Sequence, residues 1–466
     1  PFGRVGGPEG LPGRERVMKR LEAKFVALIF GALITIPIVA FAIGMRPESN
    51  QNRPPTPLPE ITVEGIMDRE LTPQLDQYLE DSLIIAPTAV AAEAWTDVAI
   101  GDNPNPEVTI GTDGWLYYTF SLTRPCLSPD DIDAFVDTVE RATRVVEATG
   151  RELIIAIAPD KATIVPDFLP DDTSCVEDNA AALAALDGPD SLVTVWDEMR
   201  RARANERPIY FRIDTHWTNE GAGVMAAALV EQIAPGGWVE DAVTEVATID
   251  HEGDLTVLLG LPSTETTEEL QVVLPNSELT RTTRPLLTAS GAEYDKLVAV
   301  DFAASDPTIA GTTLVMHDSY GWALTPMLSP YFENAAFIAE TTPGVGHMWD
   351  DLRAAGTVIH VSVQRSLHEI ILDRDLAASF VTAFADDFPP DEEGTKETGE
   401  RLELSASGGD TYVIVEMAPG QETAEAAYND VTAKLSPDTP RATFYVGPGG
   451  TMYFAGVVDY QLVNVP

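Results

Sequence analysis

The chain has 466 residues, 44% of them hydrophobic, which is enough for roughly two or three domains with a real core. Only 29 basic residues stand against 74 acidic ones, and the formal charge of −45 excludes nucleic acid or any other polyanion held by charge alone. The acidity reads as a solvated surface, and the sequence carries neither an EF-hand loop nor a Cys/His metal pattern, so no metal and no cofactor is expected.

Residues 1–17 are rich in Gly, Pro and Arg and have no apolar periodicity. Met18-Lys-Arg-Leu-Glu-Ala-Lys24 has the charged start of an export signal, so translation is expected to begin at Met18. Residues 25–43 run for 19 positions without a charge, about 28 Å as a helix and enough to cross a bilayer core. Basic residues are denser before this run (Arg14, Arg16, Lys19, Arg20, Lys24) than after it (Arg46, Arg53). That bias predicts a single-pass anchor with residues 1–24 cytoplasmic and the bulk of the chain outside. Ala40-Phe-Ala42 also suits a signal peptidase, so a secreted form cleaved after Ala42 stays an alternative.

Residues 44–60 hold five prolines among polar neighbours and predict an extended spacer. A catalytic domain over 61–385 follows, beginning with a helical region at 66–100. Two short strands around an Asp-Gly turn are expected within 108–118, with Trp115 and Tyr117 as core residues. Ile132, Phe135, Val136, Val139 and Val146 then mark one face of a helix that ends at Gly150. The unbroken apolar run 153–158 suits a strand buried on both faces. Further strands are expected at 191–196, 312–316, 336–339 and 358–363, and helices at 197–205, 220–233 and from about 366 to 384, with Thr218 or Asn219 as a cap. This alternation predicts an α/β fold with a mainly parallel sheet flanked by helices. Residues 238–307 interrupt it as an acidic excursion of short strands and loops. An acidic linker at 386–400 leads to a small β-rich C-terminal region, 401–466.

Two stretches carry chemistry. Asp214-Thr-His216 follows a β-like run, and in an extended segment residues two apart share a face with Cα atoms about 6–7 Å apart. A carboxylate there can orient an imidazole. About a hundred residues later, a buried-looking strand ends at His317-Asp-Ser319-Tyr-Gly321 and a helix start. A serine on such a turn is exposed, with nearby backbone N–H groups at 319–321 suited to an oxyanion. Asp214, His216 and Ser319 together make a hydrolase-type triad, against the plainer reading of each as a cap or a hydrogen-bonding pair. Only six histidines occur in the chain, and two fall in these stretches. A metal site from Asp214, His216 and His317 is disfavoured because no fourth ligand is evident. Cys126 and Cys175 are the two cysteines, and export would let them form one disulfide.

Five segments occur in order: Gly111-Thr-Asp-Gly-Trp-Leu-Tyr117, Pro159-Asp-Lys161, Asp214-Thr-His-Trp217, Gly253-Asp-Leu255 and His317-Asp-Ser-Tyr320. Together they resemble the membrane-anchored, extracytoplasmic SGNH-hydrolase-like proteins of the alginate O-acetyltransferase type, the AlgJ/AlgX-like family. The likeness spans roughly residues 66–384. It implies an SGNH-hydrolase-like fold with Ser319 as nucleophile, His216 as general base and Asp214 as its orienter. Trp217, Tyr320 and Arg365 are the substrate-binding candidates, and Val363-Gln-Arg365 departs from the family, which would have a Glu-containing segment ahead of Arg.

The implied activity is O-acetylation of an exported or cell-wall polysaccharide through an acyl-serine. An integral membrane O-acyltransferase would supply the acetyl groups. An acetyl esterase with the same triad, or a non-catalytic polysaccharide scaffold, remains the alternative.

Overall fold

The computed structural model describes residues 103–170, 175–186, 188–287, 293–341, 348–367, 376–384 and 387, the strand segments within 396–455, and a few isolated earlier positions. The expected anchor at 25–43, the spacer at 44–60 and the helical region at 66–100 lie almost wholly outside the described residues. Among the described residues no helix is long and apolar enough to cross a membrane. The chain divides into two units, residues 1–106 with 256–262, and residues 107–255 with 263–466. The second unit contains the elements that follow.

Strands β1 (Val108–Ile110) and β2 (Leu116–Tyr118) pair antiparallel around a turn in which Asp113 and Gly114 have positive φ, as an Asp-Gly pair permits. Helix α1 (Pro129–Ala148) starts in a capping box between Ser128 and Asp131 and buries Phe135, Val139, Ala142, Val145 and Val146 along one face. Strand β3 (Glu152–Ala158) is the unbroken apolar run, buried from Leu153 onward. Helix α2 (Val176–Ala184) leads to β4 (Leu192–Thr194), shorter than expected because helix α3 (Trp196–Ala204) begins at once. Helix α4 (Asn219–Ile233) is capped by Thr218, whose hydroxyl accepts from the Gly221 N–H.

Residues 238–307 hold two hairpins. Strands β5 (Val243–Glu252) and β6 (Thr264–Val272) form a separate antiparallel pair. Strands β7 (Leu279–Leu287) and β8 (Glu293–Ala304) instead join the central sheet. That sheet is completed by β9 (Ile309–His317), β10 (Phe332–Ile338) and β11 (Thr357–Val363), with helices α5 (Gly321–Leu328) and α6 (Trp349–Ala354) between them. Its order is β4-β3-β11-β9-β10-β8-β7. The first five strands are parallel and the last two antiparallel. The sheet is therefore mixed, because half of the expected excursion supplies its antiparallel edge. Helix α7 (Leu376–Phe384), buried throughout, packs on α1.

Cys126 and Cys175 are joined by a disulfide with Cα atoms 4.8 Å apart. Beyond α7, strands β12 (Lys396–Thr398), β13 (Arg401–Ser405), β14 (Thr411–Glu416), β17 (Arg441–Val446) and β18 (Met452–Ala455) form an antiparallel sheet, with β15 (Ala424–Tyr428) and β16 (Val431–Leu435) as a hairpin.

Candidate active site

Ser319 sits at the carboxyl end of β9, where ligand sites of parallel sheets collect. The two residues around it build the turn. One oxygen of Asp318 accepts from the Tyr320 N–H at 2.9 Å, and the other accepts from the Val363 N–H at 2.7 Å, tying the serine turn to the end of β11. Gly321 lies over the buried His317 ring, with which any Cβ at 321 would collide. His317 is thus a packing residue. Burial pushes its imidazole below the usual range, and Nδ1–H donates to the Asp318 carbonyl at 2.7 Å.

The segment at 211–217 is not the extended strand that its neighbours suggested. It bends, and the Asp214 carboxylate accepts from the His216 backbone N–H at 2.8 Å, an Asx-type turn. The carbonyls of this loop are gathered by Lys161. Its ammonium donates to Phe211, Arg212 and Asp214 at 3.2, 3.2 and 2.7 Å, a use of all three protons. Burial lowers Lys161 to about 7, against the pull of Asp214, Asp254 and Glu265.

Within this frame His216 Nδ1 lies 2.7 Å from Asp214 Oδ1, and His216 Nε2 lies 2.7 Å from Ser319 Oγ. Asp214 is buried, His216 half-buried and Ser319 exposed. An ionised carboxylate only accepts, so Nδ1 carries the imidazole proton and Nε2 is left to accept from the serine hydroxyl. This is the state of a base ready to take the serine proton.

Asp214 has two further donors, both on Oδ2: His251 Nε2 at 2.9 Å and the Asp254 N–H at 3.1 Å. The Asp254 N–H reaches it because Gly253, where a Cβ would strike the Ile213 carbonyl, lets β5 end against the loop. Burial would raise the Asp214 carboxyl, but the hydrogen bonds from His216 and His251 outweigh it and hold the group well below the usual range. Asp254 goes the other way, raised by burial and by the charge on Asp214. Thr215 donates to Asp254 from its N–H at 2.8 Å and its hydroxyl at 2.5 Å. Asp214, His216 and Asp254 present ligand-type atoms within 4.8 Å of one another. Protein donors nevertheless point at both carboxylates, the arrangement of a proton network and not of a cation cradle, which leaves oxygen lone pairs open.

The other expected site residues are behind the triad. Trp217 is buried and donates from Nε1 to the Tyr320 carbonyl at 3.0 Å. Tyr320 is equally buried, with its hydroxyl donating to the Thr215 carbonyl at 2.8 Å. Arg365 pairs with Asp160 at 2.7 Å and reaches the Tyr320 hydroxyl at 3.3 Å. All three brace the loop and the turn from behind. The backbone donors are corrected: the Tyr320 N–H is taken by Asp318 Oδ1 and the Gly321 N–H by the Asp318 carbonyl. His251, Asp254 and Asp318 were assigned no role from sequence. Asp254 belongs to the fourth resembling segment and His251 stands two residues before its Gly253, the signal in the sequence that points to them.

Residues 108–324 match the family described as the SGNH hydrolase-like domain of the acetyltransferase AlgX. This stretch is therefore similar to the SGNH hydrolase-like domain of that acetyltransferase. It is 25% identical over 209 residues to a probable alginate O-acetylase AlgJ of Pseudomonas fluorescens, covering 42% of this chain and 52% of that protein. Against the corresponding protein of Pseudomonas aeruginosa it is 28% identical over 178 residues, 35% of this chain and 44% of the relative. The chain thus spans about half the length of these relatives. Among solved structures, the O-acetyltransferase domain of Pseudomonas putida AlgJ aligns with a TM-score of 0.37 and 21% identity, covering 56% of this chain and 92% of that one. Pseudomonas aeruginosa AlgX aligns with a TM-score of 0.37 and 13% identity, over 75% of this chain and 89% of that one. The matched stretch contains Asp214, His216 and Ser319 and runs on into α5.

Proposed function

We propose that this chain is an extracytoplasmic O-acetyltransferase that moves acetyl groups onto hydroxyls of an exported or cell-wall polysaccharide. The observation that carries the reading is the continuous hydrogen-bonded line from buried Asp214 through His216 to the exposed Ser319 hydroxyl, 2.7 Å at each step. Ser319 Oγ attacks the carbonyl carbon of the acetyl donor while His216 Nε2 takes its proton, and Asp214 stabilises the imidazolium. The Ser319 N–H, for which the described residues offer no acceptor, faces the oxyanion. The tetrahedral adduct collapses, the donor's leaving group departs with the proton, and an acetyl-serine remains. A sugar hydroxyl then gives its proton to His216 and attacks the ester, releasing the acetylated sugar and the free serine.

Trp322, one helical turn past Ser319 and 55% exposed, is the aromatic surface on which an acceptor sugar stacks. The Cys126–Cys175 disulfide suits an oxidising compartment. There the chain is held by residues 25–43 and takes its acetyl groups from an integral membrane O-acyltransferase, as its likeness to AlgJ suggests.

The test is intact mass after incubation with an activated acetyl ester. Wild type is expected to gain about 42 Da, the mass of one acetyl group less a proton, and Ser319→Ala to gain nothing. Asp214→Asn should form the adduct about 10⁴-fold more slowly. Added oligosaccharide should accept the acetyl group; free acetate alone would make the protein an esterase. A folded wild type with neither adduct nor turnover would leave a non-catalytic scaffold.

A further inference from the structure

The Asp214 carboxylate is served by two imidazoles. His216 takes one oxygen and His251, from the end of β5, takes the other at 2.9 Å. An ionised carboxylate offers about four lone-pair positions. Here they are filled by His216 N–H, His216 Nδ1, His251 Nε2 and Asp254 N–H. His251 is held for this purpose. Its ring stacks on Phe211 with centroids 3.9 Å apart and planes 12° apart, which fixes the direction of Nε2. Its cross-strand neighbour on β6 is Glu265, which also accepts from the Ile213 N–H at 3.2 Å. The charged groups facing His251 are thus Asp214, Glu265 and Asp254, all acidic. Its pKa is raised, chiefly by the hydrogen bond to Asp214 and against its partial burial.

We propose that His251 is a positioning residue for the Asp214–His216 pair: its Nε2–H holds the second carboxylate oxygen, and its own protonation state tunes how far Asp214 favours a charged His216. The proposal rests on the Ser-His-Asp reading above. In the neutral state His251 still donates from Nε2, so Asp214 stays aimed and carries its full charge. In the protonated state an imidazolium beside Asp214 offsets that charge, and the imidazolium formed on His216 during attack is stabilised less. Protonation of His251 therefore adds to the acid limb of activity a titration that a simple triad lacks.

The experiment uses the full chain with an activated acetyl ester, measuring kcat and KM between about pH 5 and 9. His251→Ala should lower kcat about 10-fold or more, the value of one hydrogen bond to a charged group, with KM unchanged. His251→Gln, which keeps an N–H donor but does not titrate, should recover most of kcat and reduce the acid limb to a single titration. Variants with wild-type kcat and an unchanged acid limb would overturn the proposal, as would a Gln variant no better than Ala. A second readout needs no turnover. With only six histidines, ring-labelled protein allows each imidazole to be titrated by NMR in the Ser319→Ala background. His251 should titrate above the free-imidazole value, and Asp214→Asn should bring it back down. A His251 titration indifferent to Asp214→Asn would sink the proposal whether or not the protein proves to be an acetyltransferase.

Discussion

At the residue scale the site separates aromatics that look alike in sequence. Trp217 and Tyr320 sit next to triad residues, yet their rings are buried in an edge-to-face pair with centroids 5.0 Å apart. Both spend their polar atoms on backbone carbonyls, which locks the loop that carries His216 to the turn that carries Ser319. Trp322 packs one edge against the His317 ring and leaves most of its surface in solvent. Burying a large apolar face against a sugar ring is worth on the order of 1 kcal/mol or more. Trp322→Ala is therefore expected to raise KM for an oligosaccharide acceptor about 5- to 10-fold while leaving acetyl-serine formation at the wild-type rate. Acceptor kinetics set beside intact mass separate these two effects, and a variant unchanged in KM would remove Trp322 from the acceptor site.

At the element scale two turns do the positioning, and neither is a regular element. The loop at 211–217 gives up strand hydrogen bonds for an Asx turn and for three bonds to the Lys161 ammonium, which is why period-two alternation misdescribed it. The turn at 318–321 closes through both oxygens of Asp318 and needs a residue without a side chain above His317. Gly321→Ala would force the His317 ring or the start of α5 to shift, at about 1–3 kcal/mol by the usual penalty for overpacking. Chemical denaturation should show that loss together with slowed acetyl-serine formation, because the displaced turn carries Ser319, the proposed nucleophile. An unchanged midpoint would mean that the turn accommodates a methyl group freely.

At the scale of the whole molecule the formal charge of −45 governs encounters. Self-repulsion opposes compaction, and under the proposed function an anionic polysaccharide acceptor would be repelled before it reached Ser319. Raising ionic strength from about 0.01 to 1 M shortens the screening length from about 30 to 3 Å. The midpoint of thermal unfolding should rise over this range. Acetylation of an anionic oligosaccharide should accelerate more than that of a neutral one. Melting curves and paired acceptor rates measure both, and equal salt dependence for the two acceptors would rule out charge repulsion as the barrier. The central sheet shows a separate effect of long-range order. Strands β7, rich in Thr and Arg, and β8, with three acidic residues, lie in the acidic stretch 238–307 and read locally as an excursion, yet β8 pairs with β10 and extends the sheet.

The sequence by itself determined what local chemistry controls. Apolar runs marked the buried strands, caps and glycines marked helix ends, and the residue types in the resembling segments named Asp214, His216 and Ser319. Tertiary structure decided everything that depends on residues distant in the chain. It brought Ser319 to His216 across 103 positions and His251 to Asp214 across 37. It also turned Trp217, Tyr320 and Arg365 inward and gave the mainly parallel sheet an antiparallel edge. The physical reason is the same in each case. Periodicity records which face of one element is apolar, whereas the partner that covers that face, or fills the last lone pair of a carboxylate, is chosen only when the elements pack.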